Sequence, residues 1–206
     1  MIIVEKGCAN PIADRSLRSM FEDRKRVFVD LLGWDVPVLD GRFEVDQFDD
    51  EHASYVIIAG RDGGHLGSAR LLPTTRPHIL GSLFPELCAG ACPADPDVFE
   101  ITRFCLSRQQ DAAARRQVRN RLVSALAWYA LERGIRRYTG VAEIGWLQQI
   151  LAFGWDCRPL GLPRRFDSRV LGAIEIRIAD DTPALLAANG IWDIAGVPAV
   201  RIAQAA

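Results

Sequence analysis

Carboxylates and guanidinium groups gather in a few short stretches of this sequence, and together they can move protons and grip anions. The acidic stretch from Glu44 to Glu51 reads EVDQFDDE and sets Asp46 three residues before Asp49, with Phe43 and Phe48 as apolar anchors against a core. The segment FEITRF sets Glu100 three residues before Arg103. Arg24 and Arg70 stand elsewhere in the chain. Folding, not spacing, must bring these arginines to Asp46 and Asp49. In a regular strand Glu100 and Arg103 face opposite sides by parity, unless a bulge or strand end intervenes. Charges beside Phe99, Ile101 and Phe104 are expensive to bury without partners, so a structural ion pair is the plain reading of that segment.

A second charged region has a different character. Between Arg103 and Arg137 nine arginines face only Asp111 and Glu132. Arg115, Arg116, Arg119 and Arg121 surround the start of a helix expected near Gln117, where unpaired N–H groups and arginines together suit a phosphate. The competing reading is a solvated helix face, because the chain carries 23 arginines and only two lysines.

Several familiar sites are missing. The stretch GRDGGHLG, Gly60 to Gly67, lacks the spacing and strand-to-helix context of a dinucleotide site and reads as a hairpin turn. No G-x-x-x-x-G-K-[ST] loop or G-x-S-x-G elbow occurs. Five cysteines form an odd, scattered set whose only close pair is Cys88 and Cys92; reduced thiols are expected, and with His52, His65 and His78 isolated no metal site is expected.

The elements that must position these groups alternate along the chain. Ile2 to Val4 opens as a strand, and Asp14 to Leu32 carries apolar residues at helical spacing with Gly33 as a stop. Ser54 to Ala59 and Leu66 to Leu72 read as an antiparallel hairpin, followed by a strand at Phe99 to Leu106. A helix from Gln117 to Glu132 ends at Gly134, with a strand at Tyr138 to Ala142 and a helix from Glu143 to Phe153. Leu171 to Ile178 is a late strand, Thr182 to Asn189 a final helix, and Cys88 to Asp97 a long loop. Mixed elements with hairpins imply an α/β or α+β sandwich on a largely antiparallel sheet.

Length and composition narrow the class. The 206 residues are 49% hydrophobic and 25% charged, which fits one domain spanning 1–206, with 193–206 as a C-terminal extension. A net charge of −1 excludes broad electrostatic binding to nucleic acid. No window approaches a membrane span, and Glu5, Lys6, Asp14, Arg15 and Arg18 occupy the place of a signal-peptide core, so a cytoplasmic protein is expected.

Taken in order, the residues resemble one family. Arg24 and Phe28 in RKRVF, Trp34 in LGW, Asp46 and Asp49 in DQFD, Arg70 in ARLLPTTRP, and Glu100 and Arg103 in EITRF follow the shared core of the acyl-homoserine lactone synthases of bacterial quorum sensing. The segment GWDCRPLGLP, Gly154 to Pro163, also looks like this family.

The resemblance implies a three-layer α/β/α sandwich similar to the coenzyme A-dependent N-acetyltransferases, with a mostly antiparallel, splayed central sheet. It implies acylation of S-adenosylmethionine by an acyl thioester, then lactonisation with release of methylthioadenosine. The donor is an acyl-acyl carrier protein, which we favour, or acyl-coenzyme A; either suits the basic surface at Arg115, Arg116 and Arg119. No metal or bound cofactor is implied. Glu100 is the expected general base, with Arg103 and Arg70 organising the carboxylates or gripping the substrate. Arg24, Phe28, Trp34, Asp46 and Asp49 are expected on the S-adenosylmethionine side, the aromatic faces suiting a sulfonium. Thr102, Ala142, Trp146 and Ile150 are expected at the acyl pocket. Thr102 stands where relatives often carry Ser, and Ala142 where a Thr is associated with 3-oxo chains, so an unsubstituted chain is expected. The alternative is an acyl-coenzyme A-dependent N-acyltransferase acting on another amine, and a third reading is a ligand-binding sensor without turnover.

Overall fold

The computed structural model describes residues 1–7 and 14–194, together with the backbone of 201–203. In chain order its strands and helices are β1 Ile2–Lys6, α1 Arg15–Arg24, β2 Val38–Leu39, β3 Phe43–Glu44, β4 Ser54–Ala59, β5 His65–Pro73, α2 Ile79–Leu83, β6 Val98–Leu106, α3 Ala112–Arg133, β7 Arg137–Glu143, α4 Ile144–Leu151, β8 Asp156–Pro159, β9 Arg164–Phe166, β10 Arg169–Arg177, α5 Thr182–Ala188 and β11 Arg201–Ala203. This is an α/β fold whose strand pairs are mostly antiparallel. Among the described residues, no helix is long and apolar enough to cross a membrane. The chain divides into two compact units, the first comprising Met1–Leu71, Arg103–Ala125 and Asp193–Ala206, the second Leu72–Thr102 and Leu126–Trp192.

In the first unit the strands run in the order β11, β1, β4, β5. β1 lies parallel to β11 and antiparallel to β4, so part of the segment read as an extension supplies a strand. Every residue of β4 (SYVIIA) is buried, as expected of a strand covered on both faces. The β4–β5 hairpin is antiparallel, as its turn chemistry predicts, with Gly63 at a φ of 80°. Gly67 has another task. A Cβ there would fall 2.7 Å from Val118 Cγ1 and 2.9 Å from Leu106 Cδ2, so the missing side chain lets α3 approach β5.

Helix α1 is capped by Asp14, whose carboxylate accepts the Ser16 and Leu17 N–H groups at 2.6 and 3.2 Å. Leu17, Met20 and Phe21 form its buried stripe, and the Phe21 ring meets Tyr55 of β4 edge-on at 5.8 Å. Burial of each such side chain contributes roughly 1.5–3 kcal/mol. The helix expected from Asp14 to Leu32 does not stay α-helical. From Lys25 to Leu31 it widens into a π-helical segment, and Gly33, at a φ of 63°, ends it.

In the second unit the order is β6, β7, β10, β8, with β9 beside β10. β6 and β7 are parallel, with Glu100 opposite Thr139, whereas β7 and β10 form a long antiparallel ladder. Leu80, Leu87 and Ala173 form a buried cluster against which Phe84, Leu160 and Phe166 pack.

One boundary differs from expectation. Helix α3 begins at Ala112, not near Gln117, because Asp111 stands just before its first turn and accepts the Ala114 N–H at 2.8 Å. The first turns, Ala112 to Gln117, hold no large apolar residue, so hydrophobic spacing could not reveal them. Cys8 lies outside the described residues, as do residues 195–200 and 204–206.

Candidate active site

Within the first unit, three arginines and three carboxylates close into a ring. Arg24, near the end of α1, donates through Nε to Glu44 at 2.6 Å and through its two terminal nitrogens to the two oxygens of Asp49, both at 2.8 Å. Asp49 also lies 2.8 Å from Arg70 on β5. Arg70 in turn donates to both oxygens of Asp46 at 2.6 and 3.1 Å. Arg103 on β6 completes the circuit, donating to Asp46 at 2.7 Å and through Nε to Glu44 at 3.1 Å. Each acid therefore bridges two bases and each base two acids.

The charges of this ring sum to zero, and its six side chains are buried, Arg103 being the most accessible at 9%. Burying one such charge alone is prohibitive, whereas a closed set of bidentate pairs is tolerated. Burial would raise the Asp49 carboxyl, but Arg24 and Arg70 overcome it and hold the group well below the usual carboxylate range. Burial and then the neighbouring Asp49 push the Tyr55 phenol far above its ordinary value, so Tyr55 stays protonated and donates to Asp49 at 2.9 Å. The loop is pinned locally as well. Asp46 N–H donates to Asp49 at 2.9 Å, and Phe48 N–H to Asp46 at 2.8 Å, a tight turn that leaves Phe48 buried.

The expected pairing within FEITRF takes another form: Arg103 reaches Glu44 and Asp46. Its backbone explains how. Arg103 has a φ of 50°, the left-handed region, inside an otherwise extended strand. That conformation costs about 1–3 kcal/mol and breaks the two-residue alternation, re-aiming the side chain.

Phe28 and Trp34 stand beside the ring. The π-helical segment places them so that their rings stack at 4.7 Å and 21°, while Trp34 N–H donates to the Phe28 carbonyl at 2.8 Å. The Arg103 guanidinium carbon lies 5.6 Å from the Phe28 centroid and 5.5 Å from that of Trp34. These two faces thus lie against one cation, the Arg103 guanidinium.

Seven of the expected residues, Arg24, Phe28, Trp34, Asp46, Asp49, Arg70 and Arg103, thus assemble in one place. Sequence reasoning missed Glu44 and Tyr55. Glu44 is fully buried and belongs to the same acidic run as Asp46, but nothing in that run marks which acids turn inward.

Glu100 lies in the second unit and is fully buried. Its two oxygens accept the N–H groups of Ile79 and Leu80, the first residues of α2, at 2.7 and 2.8 Å. Thr102 and Ala142 are each 8% exposed. On α4, Trp146 and Ile150 are half-buried, and the Trp146 ring meets Phe153 edge-on at 5.9 Å.

The basic residues of α3 are partly engaged. Arg115 donates to the Gln110 carbonyl at 2.5 Å, Arg119 reaches Asn120 at 2.9 Å, and Arg116 is exposed. Arg115 and Arg116 lie one turn inside α3, since the helix starts at Ala112.

Comparison with known proteins adds an independent line. The family model for autoinducer synthases matches residues 10–181. An acyl-homoserine-lactone synthase of Ralstonia nicotianae is 36% identical over 184 residues, 86% of this chain and 89% of the relative. The solved structure of BjaI, a CoA-dependent acyl-homoserine lactone synthase, with SAM and isopentyl-CoA, aligns at a TM-score of 0.82 and 28% identity, covering 100% of this chain and 94% of that one. A structure assigned as an N-acetyltransferase from Lactobacillus plantarum aligns at a TM-score of 0.57 and 18% identity, covering 87% of this chain and 98% of that one, a likeness of fold alone.

Proposed function

Because the chain belongs to the autoinducer synthase family, we propose that it makes an N-acyl-L-homoserine lactone from S-adenosylmethionine and an acyl thioester. The observation that carries this reading is the closed ring of Arg24, Asp49, Arg70, Asp46, Arg103 and Glu44 with the Phe28–Trp34 stack against it. A fixed set of charges beside two stacked aromatic faces suits a substrate that carries an ammonium, a carboxylate and a sulfonium.

The chemistry needs two bond exchanges. The methionine amine attacks the thioester carbonyl and expels the thiolate, and the amine proton passes to Glu100, directly or through a water, and on to that thiolate. The substrate carboxylate then attacks its own γ-carbon, closing the lactone and breaking the carbon–sulfur bond to methylthioadenosine. The second step is intramolecular and is accelerated chiefly by holding the chain folded. No step draws on a metal or redox group.

In this reading Arg70 and Arg103 fix the carboxylates that orient the substrate, and Arg24, Asp46 and Asp49 complete that frame. Thr102, Ala142, Trp146 and Ile150 border the acyl chain; the methyl of Ala142 offers no hydrogen bond to a 3-oxo group and favours an unsubstituted chain. Arg115, Arg116 and Arg119 receive the donor, whether the acidic surface of a carrier protein or the phosphates of coenzyme A. We place the reaction in the cytosol, in keeping with an odd, scattered set of five cysteines.

Mass spectrometry of organic extracts from cells expressing the wild type or Glu100→Gln tests the reading. A lactone fragment found only with the wild type supports it and identifies the acyl chain. Thioester-dependent acylation of some other amine, without S-adenosylmethionine, is the result expected of an ordinary N-acyltransferase.

A further inference from the structure

The sequence's one close pair of cysteines takes no part in the chemistry above. Cys88 directly follows the 3-10 turn Pro85–Leu87, and Cys92 lies four residues on, across Ala89, Gly90 and Ala91. The chain doubles back over these residues, so that the Cys92 thiol points at the Cys88 sulfur at 3.4 Å, with the Pro85 carbonyl 3.8 Å away. Both thiols are free and half-buried. By contrast, Cys105 is completely buried.

We propose that Cys88 and Cys92 form a modification site, a dithiol that closes to an intramolecular disulfide when it meets a low-molecular-weight disulfide such as oxidised glutathione. A disulfide needs its sulfurs at about 2.05 Å, and these two are already in contact within a segment that has no ladder hydrogen bonds to break. Gly90, with open space where a Cβ would stand, gives the short span freedom to tighten.

The exchange balances in two steps. The Cys92 thiolate attacks one sulfur of the reagent and expels its first thiolate; the Cys88 thiolate then attacks the Cys92 sulfur and expels the second. The protein loses two thiol protons and two electrons, and the reagent gains them as two thiols. The order follows from the surroundings. Burial, then the Cys92 thiol beside it, push the Cys88 thiol up to about 12, which makes it the slow entry point but a strong nucleophile once deprotonated.

The link would join a segment that is anchored at both ends. Ala89 N–H donates to the Leu160 carbonyl at 2.9 Å, and both cysteines pack on the cluster of Leu80, Leu87 and Ala173. Leu80 is also one of the residues whose N–H holds Glu100. The proposal stands on the thiol geometry and does not depend on the lactone-synthesis reading.

The test uses the full reduced chain, exposed to oxidised glutathione, freed of reagent, alkylated and digested with trypsin. Both cysteines fall in one peptide, Leu71 to Arg103, because the Arg76–Pro77 bond resists cleavage. The expected peptide is lighter by the two thiol hydrogens and takes up no alkylating agent, whereas after dithiothreitol it takes up two equivalents. Cys88→Ser and Cys92→Ser should each abolish the loss while leaving the circular dichroism spectrum unchanged. Full alkylation of the exposed wild type, a persistent glutathione adduct on Cys92, or a link from either cysteine to Cys157 or to another chain would each overturn the proposal.

Discussion

Asp49 lies flat against Arg24, each carboxylate oxygen 2.8 Å from one terminal nitrogen of the guanidinium. Neither side chain is more than 1% exposed, so removing one charge leaves the buried ring with a net charge that nothing offsets. Asp49→Asn should destabilise the fold by about 3–5 kcal/mol. Urea unfolding checks this; a loss below about 1 kcal/mol, typical of surface pairs, would show that the ring carries little of the stability.

The same pair sets an acid limit. The folded chain releases the Asp49 proton at a lower pH than the unfolded chain, so the stabilisation is fully present above the ordinary carboxylate value of about 4 and is lost as pH falls below it. The melting temperature should therefore drop steeply below about pH 4. Asp49→Asn should flatten that decline, and an unchanged acid limb in the variant would assign the limit to other groups.

Gly67 makes a separate structural prediction. Gly67→Ala puts a methyl 2.7 Å from Val118 Cγ1 and should cost about 1–3 kcal/mol through overpacking. Adding Val118→Ala should recover part of that loss. A double variant no more stable than Gly67→Ala alone would mean that the strain falls on the backbone.

For Glu100 the two amide bonds complicate the usual substitution. Glu100→Gln replaces one acceptor with an NH2 facing the Ile79 or Leu80 N–H, so a stability loss of about 1–3 kcal/mol accompanies the chemical effect. Turnover per folded molecule should still fall by about 10²–10⁴-fold, the usual contribution of a general base. Near-normal turnover in the folded fraction would leave Glu100 only the task of holding α2.

The arginines of α3 can be separated from those of the ring. Reversing Arg115 and Arg116 to Glu should raise the donor KM several-fold, leave kcat for bound donor nearly unchanged and weaken the salt dependence of kcat/KM. Unchanged donor kinetics would show this helix face to be merely solvated.

The hairpin of β4 and β5 was legible because apolar runs flank Arg61, Asp62, Gly63 and Gly64, a local signal. The resemblance named seven residues that the fold brings together, Arg24, Phe28, Trp34, Asp46, Asp49, Arg70 and Arg103, but not how they connect. Arg103 reaches Glu44 and Asp46 through a left-handed backbone, a tertiary choice that no side-chain periodicity encodes. Glu44 escaped notice for a related reason: β3 is two residues long, too short for alternation to show which acid turns inward. The early start of α3 was hidden because Ala112 to Gln117 carry helix propensity without a large apolar residue.

The central claim is that one enzyme couples amide formation to lactone closure. The most direct measurement incubates purified chain with S-adenosylmethionine and either acyl-coenzyme A or acylated carrier protein, and quantifies lactone and methylthioadenosine together. The account predicts the two products in equal amounts, formed only when both substrates are present. Thioester consumed with no methylthioadenosine released, or acyl transfer to an amine other than that of S-adenosylmethionine, would contradict it.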